Sequence, residues 1–251
     1  MSKTAAINMR VEPAQHDLVT RAAAMLHTDR SSFIMSVACR EAENVLLDQR
    51  LFSLEDDAFQ ALQEVLSAPV EEHDRLRKLL TGPSPWEKIT PPQIMTADHE
   101  TALFDCGHDT LNEWLQKRAL KNQTQDASHS YVVCDGQRVI GYYALSSGSI
   151  ARLGTPGSLS RNMPDPIPVM VLGRLAIDRA YQDRKLGAAL LKDAMLRTLK
   201  VSRIVGVKAL LVHALSDEAK RFYLHFAFQV SPVDPMTLLL SVKAIRSHYE
   251  A

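Results

Sequence analysis

At 251 residues, with 46% hydrophobic and 23% charged residues, the chain is long enough for more than one core and has an ordinary globular composition. It has no run of 18 apolar residues and no apolar leader at its start, which argues against a membrane span and for the cytoplasm. The formal net charge of zero hides a split: residues 1–88 hold 10 Lys+Arg against 14 Asp+Glu, and residues 89–251 hold 19 against 15. Complementary halves of this kind can orient one another, although an uneven scatter of solvated charge gives the same count.

Residues 6–11 alternate strictly, with Ile7, Met9 and Val11 on one face and Asn8 and Arg10 on the other, which predicts a short strand. Pro13 then opens a helix to about Met25, with Leu18, Val19, Ala22 and Met25 along one stripe. A second helix is expected over Ser31–Leu47, restarted by Asp29 or Arg30. One strand and two helices in some 45 residues cannot build a core alone, but two copies can, by pairing their strands. That is the ribbon–helix–helix plan, and residues 1–50 resemble antitoxins of the TacA type. The resemblance implies a homodimer, or a higher oligomer, whose ribbon enters the major groove of operator DNA. Asn8 and Arg10 would then read base edges, with Lys3 and Thr4 near phosphates. The alternative for Arg10 is a solvated edge-strand charge.

Residues 51–82 look dependent on a partner. Helix-period apolar residues from Leu51 to Leu66 (Phe52, Leu54, Phe59, Leu62, Val65) predict one helix, and a shorter one follows Pro69 through Arg75, Leu76, Leu79 and Leu80. Such helices are marginal alone, so an apolar face implies docking. In the antitoxins this part resembles, the tail wraps the toxin and blocks its site; packing within an N-terminal dimer is the other option. Residues 83–92, rich in proline, form the expected linker.

From residue 93 onward an early helix is expected over Asp109–Gln123. Strands are expected over Tyr131–Cys134, Val139–Ser147, Pro168–Asp178 and Ala209–Ala214, giving an α+β arrangement of a mixed sheet flanked by helices. Cys39, Cys106 and Cys134 are widely spaced and form no metal pattern. Val169–Asp178 is a long apolar strand that runs into the basic, glycine-containing turn Arg184-Lys185-Leu186-Gly187-Ala188-Ala189 at a helix start. Backbone N–H groups and the helix dipole converge on an anion in such a turn, which suits a phosphate-bearing cofactor.

Further strings stand in a fixed order: Cys106-Gly107, Trp114-Leu115, Arg118-Ala119-Leu120, Asn122-Gln123, Tyr142-Tyr143-Ala144-Leu145, Leu172-Gly173-Arg174-Leu175-Ala176, Leu211-Val212-His213-Ala214, Phe222-Tyr223 and Asp234-Pro235. Together they resemble the GNAT acetyltransferases, and more narrowly the GNAT toxins of type II toxin–antitoxin systems. The resemblance implies acetyl-CoA as cofactor, with the pantetheine arm along Leu175, Ala176 and Ile177. The pyrophosphate would rest on Gln182, Asp183, Arg184, Lys185, Leu186, Gly187, Ala188 and Ala189. It makes Tyr223 the acid for the leaving thiolate, with core packing as the alternative, and the α-amine of aminoacyl-tRNA the acceptor. Lys117, Arg118, Lys121, Arg161 and Arg174 would receive the acceptor stem, or are ordinary solvated charges. The sequence departs from the toxins' glycines at Asp183, Lys185 and Ala227. Acetylation of a protein N-terminus or small amine, and a repressor with a degenerate acetyltransferase half, are the other readings.

Overall fold

The computed structural model describes residues 5, 7–86, 89–153 and 165–250; the expected nucleic-acid contacts Lys3, Thr4 and Arg161 lie outside them. The chain divides into two compact bodies, residues 1–44 and 45–251.

In the first body, α1 spans Pro13–Met25 with proline in its first turn, and the Gln15 side chain accepts from the Glu12 N–H at 3.2 Å. The helix α2 runs Arg30–Asp48, so its last four residues belong to the second body. Asp29 starts it by accepting from the Ser32 N–H at 3.0 Å, and hydrogen bonds from Ser32 hold its carboxyl below the usual range. The strand expected over residues 6–11 does not form within one chain: the described residues 7–12 are irregular. A two-stranded ribbon draws its second strand from another copy. Consistent with that, Ile7, Met9, Val11 and Leu18 are all more than half exposed.

The second body is a mixed eight-stranded sheet with helices on its faces. It comprises β1 (Leu51–Leu54), α3 (Asp56–Ser67), α4 (Asp74–Thr81), β2 (Gln93–Ile94), α5 (Asp109–Lys117), α6 (Ala119–Thr124), β3 (His129–Asp135) and β4 (Arg138–Arg152). It continues with β5 (Ile167–Ile177), α7 (Leu186–Ser202), β6 (Ala209–His213), α8 (Asp217–His225), β7 (Gln229–Val230), β8 (Thr237–Ser241) and α9 (Val242–Glu250). The order across the sheet is β2-β3-β4-β5-β6-β8-β7, and β1 pairs with the far end of β4. Among the strand pairs of the described residues, only β5–β6 and β1–β4 are parallel. The four expected central strands are all present.

Two helix expectations need correction. The helix expected from Leu51 begins only at Asp56, because Leu51–Leu54 is a strand paired in parallel with Ser149–Arg152. Its side chains alternate, Phe52 and Leu54 inward and Leu51 out, as a period of two requires. The expected helix Asp109–Gln123 is broken in two at Arg118, whose φ of −119° departs from helical geometry.

Residues 45–82 pack on the sheet as if part of it. Phe52, Leu54, Phe59, Leu62 and Leu66 share a core cluster with Ile150, Val169, Val171 and Leu211. On the opposite side Leu76 and Leu80 join the cluster of α7, α9 and β6. Burial of each large side chain contributes about 1.5–3 kcal/mol. The backbone itself comes close: a Cβ on Gly148 would stand 2.7 Å from the Arg50 carbonyl oxygen, and one on Gly173 would stand 3.0 Å from that of Leu47. The linker follows along the same body, with the Thr90 N–H donating to the Cys134 carbonyl at 3.1 Å and Arg197 donating to that of Pro92 at 3.0 Å.

Candidate active site

The site begins where two strands part. β5 pairs with β6 only from Val169 to Leu172, against Ala209 to Val212. Beyond that point β5 continues to Ile177, held on its other edge by Gly141–Ala144 of β4. Gly173 is the extra residue of a bulge between the pairs Leu145↔Leu172 and Ala144↔Arg174, and a bulge of this kind bends the strand. One backbone edge of Arg174–Ile177 is therefore left without a strand partner. A cavity of about 380 Å³ opens beside it, lined by Leu175, Ala176, Ile177, Gln182, Gly187 and Tyr223 among others. Six of the residues expected at the cofactor or catalytic centre are thus brought together.

The turn before α7 has a fold suited to an anion. Asp183 and Lys185 both take φ of 61°, and the first N–H groups of α7 follow directly. These are two of the positions where similar toxins carry glycine, and the third, Ala227, has φ of 66°. A left-handed non-glycine residue costs about 1–3 kcal/mol. All three residues hold the left-handed conformation without a glycine. Gln182 fastens the turn by donating its side-chain amide to the carbonyls of Ile177, at 3.1 Å, and Cys106, at 3.3 Å. Its side chain is thereby structural. Leu186 and Ala189 are buried, so only their backbones can serve a ligand, while Ala188 is half-buried. Arg184 lies over the Tyr181 ring, 4.9 Å from its centroid. A Cβ on Gly187 would meet nothing nearer than 3.9 Å, so the fold itself does not demand glycine there.

Tyr223 sits on α8, whose start is capped by Ser216 accepting from the Ala219 N–H at 3.1 Å. Phe222 and Phe228 pack around its ring, and it lines both the cavity beside Ala176 and a second one of about 140 Å³. Burial pushes its hydroxyl pKa well above the ordinary tyrosine value, so it stays protonated throughout the neutral range. His213 bonds Thr237 Oγ1 at 3.0 Å, and burial holds its pKa down.

The second cavity lies between Leu47, Leu111, Gly173, Arg174, His213 and Tyr223, and shares Leu111, Leu175, Ser216 and Tyr223 with the first but none of the turn residues. The sequence expectation for Arg174, a contact with an acceptor stem, meets a buried side chain here. Its guanidinium donates to Asp48 Oδ1 at 2.6 Å and stacks on Trp114, 4.3 Å from the ring centroid. Burial lowers its pKa, the Asp48 carboxylate opposes that shift, and the nearby charge of Arg118 adds to it. Lys117 on α5, Arg118 at the break and Lys121 on α6 are exposed, with Lys117 pairing Glu113 at 3.3 Å. Asn8 and Arg10 are exposed in the irregular segment of the first body. Sequence reasoning missed Leu47, Asp48 and Trp114, because nothing local to them signals a site.

Comparison with known proteins agrees with this geometry. A family model described as acetyltransferase (GNAT) family matches residues 92–228, and one described as antitoxin TacA 1-like matches residues 6–83. The chain belongs to the GNAT acetyltransferase family and carries a TacA-like antitoxin domain before it. It is 48% identical over 157 residues to a tRNA-acetylating toxin of Mycobacterium tuberculosis, covering 62% of this chain and 94% of that one. Antitoxin TacA1 of Salmonella typhimurium is 34% identical over 87 residues, which is 35% of this chain and 92% of that one. Among solved structures, AtaT complexed with acetyl-methionyl-tRNAfMet aligns with a TM-score of 0.57 at 32% identity, covering 63% of this chain and 98% of that one. Two proteins that are separate chains among these relatives are one chain here. Among the described residues, no helix is long and apolar enough to cross a membrane.

Proposed function

We propose that residues 93–251 transfer acetyl from acetyl-CoA to the α-amine of aminoacyl-tRNA and so block translation in the cytoplasm. Residues 51–82, with the end of α2, hold this activity off, residues 83–92 link the parts, and residues 1–50 dimerise and bind operator DNA for autorepression. The observation that carries this reading is the free edge of β5 over Arg174–Ile177, set between the left-handed turn and Tyr223.

The residues present fit the cofactor. Backbone of Leu175, Ala176 and Ile177 would pair the amides of its arm, and the turn Gln182–Ala189 with the start of α7 would hold its pyrophosphate, with Arg184 and Lys185 beside it. When bound, acetyl-CoA supplies an activated acyl group as a thioester. A primary amine needs chiefly position to attack it. A strand N–H near Ala176 or Ile177 would meet the charge that grows on the carbonyl oxygen. Tyr223, kept protonated by burial, would give its proton to the departing sulfur. The α-amine of an aminoacyl ester is partly neutral near pH 7 and needs no dedicated base. Lys117, Arg118 and Lys121 offer exposed positive charge to the acceptor stem.

The test is transfer of labelled acetyl from acetyl-CoA to bulk charged tRNA, comparing full-length protein with residues 89–251. The M. tuberculosis relative consists of little more than the matching region, so the shorter chain is expected to fold. Transfer by residues 89–251 alone, about 10²-fold lower or more in Tyr223→Phe, is the expected result. Equal transfer by both chains removes the neutralising role. No transfer by either removes the tRNA reading in favour of another amine or a degenerate enzyme.

A further inference from the structure

The two cavities that meet at Tyr223 are treated differently by the chain's own N-terminal part. The one beside Ala176 and the phosphate turn is lined by no described residue earlier than Cys106. The other is bounded by Leu47, and Asp48 closes on Arg174 at its wall. The Arg174 side chain is only 2% exposed. A buried guanidinium costs several kcal/mol unless an anion meets it, and its planar fork favours a carboxylate or a phosphate. Trp114 holds the plane of the group from one face, and Arg118 adds positive charge nearby. Once residues 45–50 leave, this cation stays at the acceptor side of the cleft without Asp48.

We infer that Arg174 is the anion-recognising residue of the acceptor site, and that Leu47-Asp48 inhibit as a substrate mimic, the Asp48 carboxylate standing where a phosphate of the tRNA acceptor end binds. This deepens the reading above and rests on it. It moves the inhibitory contact from residues 51–82, where sequence reasoning put it, to the last turn of α2. The strand β1 and helices α3 and α4 then serve to anchor that turn: the Ser149 N–H donates to the Arg50 carbonyl at 2.9 Å, and Phe52, Phe59 and Leu62 fill the adjoining core. Inhibition is competitive with acceptor and leaves acetyl-CoA binding intact, so the full chain carries its donor while the acceptor is shut out.

The experiment uses the full-length protein and its Asp48→Asn, Asp48→Arg and Asp48→Glu forms. Acetyl-CoA binding is measured by calorimetry, and binding of the trinucleotide CCA, as a tRNA-end probe, by fluorescence. Acetyl-CoA affinity is expected to stay within twofold in all four. Binding of the trinucleotide is expected to be weak in the wild-type and Asp48→Glu proteins, and to rise at least tenfold in Asp48→Asn and Asp48→Arg. Adding Arg174→Gln to Asp48→Asn should abolish the gain, while Arg174→Lys should keep part of it. With charged tRNA as acceptor, Asp48→Asn should lower KM far more than it raises kcat. An unchanged affinity for the trinucleotide in Asp48→Asn and Asp48→Arg, in proteins that still bind acetyl-CoA, overturns the inference. So does a rise in acetyl-CoA affinity matching any gain, since the segment would then block the donor. The trinucleotide readout needs no turnover, so it remains decisive even if charged tRNA proves not to be the acceptor; loss of acetyl-CoA binding in every form would instead count against the acetyltransferase reading.

Discussion

The two halves of the antitoxin-like part solve the same problem in opposite ways. Residues 7–44 leave Ile7, Met9, Val11, Leu18 and Met25 exposed, and among the described residues of that body Ala23 is the only buried hydrophobic one. Residues 45–82 bury Phe52, Phe59, Leu62, Leu76 and Leu80 to 3% exposure or less, against the sheet and helices of the acetyltransferase body. Neither stretch has enough apolar surface to close a core by itself. The first leaves its apolar face open, and the second is satisfied within its own chain. On the proposed reading, joining antitoxin to toxin would make inhibition intramolecular and leave dimerisation dependent on concentration.

Substitutions can break this contrast. The largest effect is expected from Phe59→Ala, which empties a fully buried site under the Arg152 guanidinium (5.1 Å from the ring centroid). Chemical denaturation of the second body should show a loss of about 3–5 kcal/mol, with a rise in acetyl transfer. Gly148→Val tests the backbone approach from the toxin side, since its Cβ would overlap the Arg50 carbonyl and Val171. It should cost about 1–3 kcal/mol and loosen β1, read as faster proteolysis within residues 45–55. Outside both stretches, Asp183→Gly and Lys185→Gly should raise stability or leave it unchanged, each by up to about 1 kcal/mol, and tighten acetyl-CoA binding. Val11→Asp sharpens the contrast from the other end. Unfolding of the second body should shift by no more than about 0.5 kcal/mol, while sedimentation shows the dimer and its operator binding lost.

The pH response adds a smaller term of known sign. Burial lowers the pKa of His213, so the unfolded chain binds more protons just below its ordinary value. Stability should rise with pH through the window below about 6.5, and the His213→Gln form should show a flatter profile there.

Much of the cleft was legible because its signals are local. The glycine-containing turn before a helix marked an anion site, while the positive φ of Asp183, Lys185 and Ala227 came only with the structure. Apolar runs of ten residues read as central strands whatever they pair with. Leu51–Leu54 was misread because Phe52, Leu54, Phe59 and Leu62 also fit a helical period. Four residues are too few to separate periods of 2 and 3.6. The break at Arg118 had no proline or glycine to announce it.

From the sequence alone came the order of the parts, the strands and helices of the acetyltransferase half, and the turn and tyrosine at its cleft. The strands and helices rest on periodicity and on backbone preferences within a few residues, whereas the order of the parts and the roles of the turn and the tyrosine rest on the resemblance to the toxins and antitoxins. Tertiary structure alone decided that β1 pairs with β4 nearly a hundred residues away, and that Asp48 meets Arg174 across 126 positions of chain. Such contacts are set by which surfaces the fold brings together, and a charge or a short apolar run carries no local mark of the partner it will find.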